Sequence, residues 1–280
     1  MMTALSTAAT GMDAQQFNID TISNNLANVN TTGFKKVRPE FQDLFYQMLQ
    51  QPVAPSQGQG LPGSPTGVFV GLGVRSAGSE TLFQQGSLSE TDNPTDVAIN
   101  GDGFFMVSSD NSGTNKFYTR DGNFTWDANG NLVTSDGYYV LDSSGSPINI
   151  NTGSSSSIPT VSISSDGTIT YSTTSGTTTN TTTVGQLGIA TFPNEAGLVR
   201  AGNDLFTQSA SSGDPATNES SSTGSTPGYT VEQNYLESSN VSVVDEMVNL
   251  ITAERAYEMN SKTITTCDDM LNIADNMKTS

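Results

Sequence analysis

The sequence predicts an α+β protein in which long coiled-coil helices at the amino and carboxyl ends enclose an inserted, mostly antiparallel β domain. Three observations carry this. Apolar residues recur every seven positions at both ends. Asp-Gly and Asn-Gly pairs punctuate the middle at hairpin spacing. A stretch of Gln, Pro, Gly and Ser separates the first helix from the strands. The 280 residues allow one or two domains. Only 34% are hydrophobic and 14% charged, so the chain has little apolar surface to spare, and part of it is expected to rely on neighbours.

The elements follow in order. In the first helix Leu5, Met12, Ile19 and Leu26 form the heptad stripe, with Ala8, Ile22 and Val29 beside it and Gln15 interrupting it. Lys35, Lys36 and Arg38 follow. They read first as a solvated helix cap that offsets the dipole, with a salt-bridge patch for an acidic neighbouring copy as the functional alternative. Phe41 and Phe45, four apart, would share one helical face and cover the β domain. Residues 50–67 are a linker, and the wider stretch 46–75 reads as a spacer with few apolar side chains. From about 68 to 230 short apolar or alternating runs lie between turn pairs, as an antiparallel meander requires. Examples are Phe104-Phe105-Met106-Val107 and Tyr138-Tyr139-Val140-Leu141. The Ser/Thr-rich stretches 151–158 and 171–183 read as polar surface strands or loops, and 209–228 as a further loop. At the carboxyl end Leu236, Val243, Leu250, Tyr257, Ile264 and Leu271 are each seven apart, with Ala253, Cys267 and Ala274 alongside and Asn260 breaking the seam. Ser242 with Asp245 makes a capping box, so the helix is expected to start near 240 and to run roughly 50 Å. The predicted domains are 1–34 with 236–280 for the terminal helices, 35–85 with 225–235 for the connection, and 86–224 for the β domain.

A narrow apolar stripe needs a partner. An internal helix pair would serve, and so would a coiled coil shared between chains. The length of the stripe and the polarity of the opposite face favour the second, with Leu5, Met12, Ile19, Leu26, Val243, Leu250, Tyr257, Ile264 and Leu271 as the assembly interface.

Composition closes off many chemistries. There is no His and a single Cys, which removes His triads, His metal ligands and internal disulfides. A net charge of −18 argues against nucleic acid and anionic membranes. Apolar runs are too short to span a bilayer, and the first residues have no basic n-region or apolar h-region. Asp127, Asn129 and Asn131 around Gly130 read as a hairpin turn rather than a calcium loop. No catalytic residue, cofactor or metal is expected. A secreted acidic adhesin with coiled-coil ends, or an acidic hydrolase with unmarked carboxylates, are the competing classes.

The string Ser23-Asn24-Asn25-Leu26-Ala27-Asn28-Val29-Asn30-Thr31-Thr32-Gly33-Phe34-Lys35 resembles the amino-terminal signature of the bacterial flagellar rod and hook family. Tyr235-Leu236-Glu237-Ser238-Ser239-Asn240-Val241, Ala98–Phe105 and Tyr118-Thr119-Arg120-Asp121-Gly122 are similar to the same family. Asn24, Asn25, Asn28, Asn30, Gly33 and Phe34 carry the signature. The segment from Tyr46 through Gly71-Leu72-Gly73-Val74-Arg75 resembles the distal-rod branch rather than the hook, with another rod or hook subunit as the alternative. The resemblance implies a self-assembling structural subunit of a rigid tubular drive shaft that transmits torque, with helices inside and the β domain outside. It implies a homo-oligomeric helical tube and, as partners, proximal rod proteins, the hook or its junction, and the P and L rings. It implies a basal-body location from periplasm to outer membrane. Export would run through the flagellar type III gate without a cleaved signal peptide, with Phe41 and Phe45 as the recognised aromatic pair.

Overall fold

A computed structural model describes residues 2–52, 66–150, 160–175, 178–217 and 228–278. The chain forms two compact units. Unit one comprises 1–27, 37–80 and 242–280, and unit two 28–36 and 81–241.

Unit one holds α1 (Met2–Ala27), β1 (Val37–Asp43), β2 (Tyr46–Gln50), β3 (Val68–Gly71), β4 (Val74–Thr81) and α2 (Val243–Lys278). The Ser242 hydroxyl accepts from the Asp245 amide at 3.5 Å, so the expected N-cap starts α2. Leu236 is the exception in its stripe, because it lies on a strand before the helix begins. α1 and α2 meet within the chain. Asn25 on α1 reaches Glu246 on α2 at 3.4 Å, and Gly11 lies against Asn260. Moving up one helix by the same interval moves down the other, so the pair is antiparallel in register. Ala8, Ala14, Ile22, Ala253 and Cys267 are buried. On this register the last residues of α2, from about Met270, extend past the start of α1.

β1 pairs with β4 and β2 with β3. Two expectations are corrected here. Phe41 lies on strand β1 and Phe45 in the turn after it, so they share no helical face. The heptad stripe ends with α1, and a period of two takes over at Val37, where burial alternates along β1. Nor is 46–75 poor in apolar side chains, since β2 and β3 carry Tyr46, Met48, Leu49, Val68, Phe69 and Val70, all exposed. The Pro/Gly-rich centre of that stretch, 53–65, lies outside the described residues.

Unit two is built of β5 (Leu88–Glu90), β6 (Val97–Gly101), β7 (Phe104–Ser108), β8 (Lys116–Thr119), β9 (Phe124–Trp126), β10 (Leu132–Thr134), β11 (Tyr139–Val140), β12 (Thr160–Ile163), β13 (Thr168–Ser175), β14 (Thr178–Gln186), β15 (Ile189–Thr191), β16 (Val199–Gly202), β17 (Leu205–Thr207), β18 (Ala216–Thr217), β19 (Tyr229–Gln233) and β20 (Tyr235–Glu237). The main sheet runs β16-β17-β8-β7-β11-β10-β9, with β15 joining β7 to β18, and its pairings are antiparallel. It is not the simple meander expected, because β15 and β17 return to strands laid down much earlier. β7 is buried along its whole length. Alternation sends Phe105 and Val107 into one apolar cluster and Phe104 and Met106 into another, which is why this strand reads as an unbroken apolar run. The second Ser/Thr-rich stretch joins β12, β13 and β14 into a three-stranded sheet, while 151–158 lies outside the described residues. The loop expected over 209–228 contains β18, and 218–227 is likewise outside them.

The turn glycines have two separate causes. Gly130, Gly137 and Gly167 take the positive φ of tight turns. Gly122 does not. A Cβ there would fall 1.6 Å from the Val97 carbonyl oxygen, so close backbone approach requires this glycine. Among the described residues no helix is long and apolar enough to cross a membrane.

Candidate functional site

α2 carries apolar residues on two opposite faces. One contains Leu250, Ala253, Ile264, Cys267 and Leu271, which are partly or fully buried. The other contains Val244 (71% exposed), Val248 (54%), Ile251 (53%) and Ile273 (59%). A helix of 36 residues that leaves so many branched and apolar side chains in water presents a surface for association. Of the stripe residues singled out in the sequence, Leu5, Met12, Ile19 and Leu26 are half-buried on α1. Val243 and Tyr257 are the more exposed members on α2. On α1, Gly11 and Asn25 meet α2, and neither belongs to the heptad stripe.

The signature residues divide between the two units. In unit one, the Asn25 amide nitrogen donates to the Val37 carbonyl at 2.8 Å, and its oxygen accepts from the Val37 amide at 3.0 Å. One side chain thus satisfies both backbone groups of Val37, as a neighbouring strand would. In unit two, Asn28 opens the turn that follows α1. Its side-chain oxygen accepts from the Thr31 hydroxyl and its carbonyl from the Thr31 amide. Gly33 has φ +69°, and a Cβ would come within 2.6 Å of the Asp121 backbone nitrogen. Phe34 is buried beneath the Arg200 guanidinium, which stands 5.2 Å from its ring and 5.6 Å from that of Phe206. Arg200 also donates to the Lys35 carbonyl and to Thr81. Asn24 and Asn30 lie at the surface.

Lys35 overturns the solvated-cap reading. Its side chain is 1% exposed and forms an ion pair with Glu237, itself 1% exposed, at 2.5 Å. Arg120 approaches the same carboxylate at 3.3 Å. Burial lowers the Lys35 pKa from its ordinary value, opposed by Glu237. Arg38 does stay in water and pairs with Glu40 and Glu80 at 2.8 Å each. Asn240 closes this region. Its oxygen accepts from the Lys36 amide, and its nitrogen donates to the carbonyls of Leu82 and Gln84.

Glu237, Asn240, Arg120 and Arg200 are therefore organising residues that spacing alone did not single out. Glu237, Asn240 and Arg120 sit inside the strings that resemble the rod and hook signature, which was the available signal. Arg200 had none. Phe45 is 88% exposed at the head of the β2–β3 hairpin, while Phe41 is half-buried. Among the described residues no group of His, Cys, Asp or Glu is placed to hold a metal ion.

Three family profiles match the chain. One described as flagella basal body rod protein covers 5–35, one described as flagellar hook protein FlgE/F/G D1 domain covers 98–171, and one described as flagellar basal body rod FlgEFG protein C-terminal covers 232–277. The flagellar basal-body rod protein FlgG of Agrobacterium fabrum is 45% identical over 97% of this chain and 98% of its own length. FlgG of Borreliella burgdorferi is 45% identical over 99% of each. The flagellar hook protein FlgE of Helicobacter mustelae is 49% identical over 50% of this chain but only 30% of its own length.

Proposed function

We infer, from the premise that this chain belongs to the flagellar basal-body rod protein family, that its terminal helices are built to associate with further copies of itself. The chain is a structural subunit of the distal rod of the flagellar basal body, assembled with neighbouring rod and hook proteins. The single observation behind the self-association reading is the second apolar face of α2, from Val244 through Ile251 to Ile273. Repeated along a helical tube, such contacts give a stiff shaft suited to transmitting torque. In this reading α1 and α2 form the inner wall and meet neighbouring copies through the exposed face of α2, with Val243 and Tyr257 the stripe members left exposed for such contacts. The β domain, 86–224, faces outward toward the P and L rings, between periplasm and outer membrane.

The exposed apolar hairpin β2–β3 lies between neighbouring subunits in this reading and opposes their sliding. Phe41 and Phe45 act earlier, on the unfolded chain, as the aromatic pair read at the export gate. The test is electron microscopy of the purified chain over a concentration series. Tubes that appear above a threshold concentration support self-association, and a persistent monomer at every concentration overturns it.

A further inference from the structure

The buried charges of unit two converge on one carboxylate from distant parts of the chain. Glu237 Oε1 accepts from Lys35 Nζ and from the Gly86 amide at 2.8 Å, and Oε2 accepts from Arg120. Lys35 also donates to the Gln84 carbonyl at 2.9 Å. The Glu237 carbonyl accepts from the Gly33 amide at 2.8 Å. Lys35 precedes Glu237 by 202 residues and Arg120 precedes it by 117. Backbone pairing follows the same division. β5 pairs with β20 and β6 with β19, so both early strands take their partners from 229–237. β7, by contrast, finds β8 and β11 within the next few dozen residues.

We propose that Glu237 is a latch that makes closure of unit two around residues 28–36 and 84–101 conditional on arrival of the carboxyl-terminal strands. Before Glu237 is in place, closing this region would strand two cations away from water with no carboxylate bonded to either, the half-buried Glu195 acting on them only through its charge. Removing one partner from a buried pair is strongly unfavourable. The segment therefore stays open, with Lys35 and Arg120 hydrated, while the local pairings of β7 to β11 form. A chain that ends early keeps an open signature segment, so the latch acts as a check on chain completeness. The inference is independent of how the finished subunit associates.

The test is pulsed hydrogen exchange during refolding of the full-length chain, read by mass spectrometry, on wild type and Glu237→Gln. In wild type, amides of 86–101 gain protection together with those of 229–238 and after those of 104–119. In Glu237→Gln, 104–119 is protected at the wild-type rate, while 86–101 and 229–238 exchange about 100-fold faster or more. Adding Lys35→Met removes one stranded cation and recovers about tenfold of that loss. Wild-type protection of 86–101 in Glu237→Gln would mean that strand pairing closes the region unaided. Equal loss over the whole of unit two would make Glu237 an ordinary stabilising residue. Either result, or no recovery with Lys35→Met, overturns the latch.

Discussion

Ile251→Asp separates the two faces of α2. Ile251 is 53% exposed and opposite the line that meets α1. Full burial of a branched aliphatic side chain is worth about 1.5–3 kcal/mol, so covering the exposed half with a neighbour contributes about 1 kcal/mol. An aspartate at the same place loses that and must be desolvated without a partner, which adds at least about 2 kcal/mol. Together these reach about 3 kcal/mol per contact, and at about 1.4 kcal/mol per tenfold the assembly threshold rises about 100-fold. The isolated subunit keeps its helix content, because the substituted side chain already faces water. Ile264→Asp is the control. It falls on the half-buried face and loosens the α1–α2 pair itself, so helical ellipticity drops along with assembly. The assays are circular dichroism for the subunit and sedimentation with electron microscopy for the assembly. An Ile251→Asp chain that assembles at the wild-type threshold would refute the reasoning. So would an Ile251→Asp chain that loses as much helix as Ile264→Asp.

Three further outcomes follow from the same geometry. Gly122→Ala forces a Cβ to within 1.6 Å of the Val97 carbonyl, so the backbone must move and unit two should lose several kcal/mol, read as a fall in its melting temperature. Burial raises the pKa of Asp121, so the native state binds more protons than the unfolded one. Its contribution is fully present below the ordinary carboxylate range and is lost as pH rises through the raised value. Asp121→Asn should therefore flatten the stability–pH curve just above about pH 4, measured by denaturant titration. Deleting 53–65 shortens the connection between β2 and β3 to Gln51, Pro52, Thr66 and Gly67 and keeps the paired residues, which loop entropy penalises only weakly. Unit two should melt as before, while assembled rods lose persistence length in electron micrographs. Rods of unchanged stiffness would place the rigidity in the terminal helices alone.

The period of the apolar residues was enough to give helices at both ends and strands between them, because 3.6 and 2.0 repeats are local properties of the backbone. The start of α2 was legible for the same reason, since Ser242 caps a helix only three residues away. Hairpin glycines such as Gly130 were legible because a positive φ is a demand of four consecutive residues. What failed were assignments that depend on distant chain. Lys35 read as a solvated cation because it stands in a local cluster of cations with Lys36 and Arg38, and its carboxylate arrives 202 residues later. Phe41 and Phe45 read as helical because i, i+4 spacing is compatible with helix, yet β1 is drawn into pairing with β4 across the hairpin between them. The stripe on α1 showed which residues are apolar but not which meet α2. The room taken by the Asn260 side chain decided it at Gly11, where a Cβ would come within 2.9 Å of the Asn260 amide. Local spacing thus determined the elements, whereas desolvation decided which charges were buried together and steric fit decided which helix faces met, and both act through contacts that only the folded chain brings together.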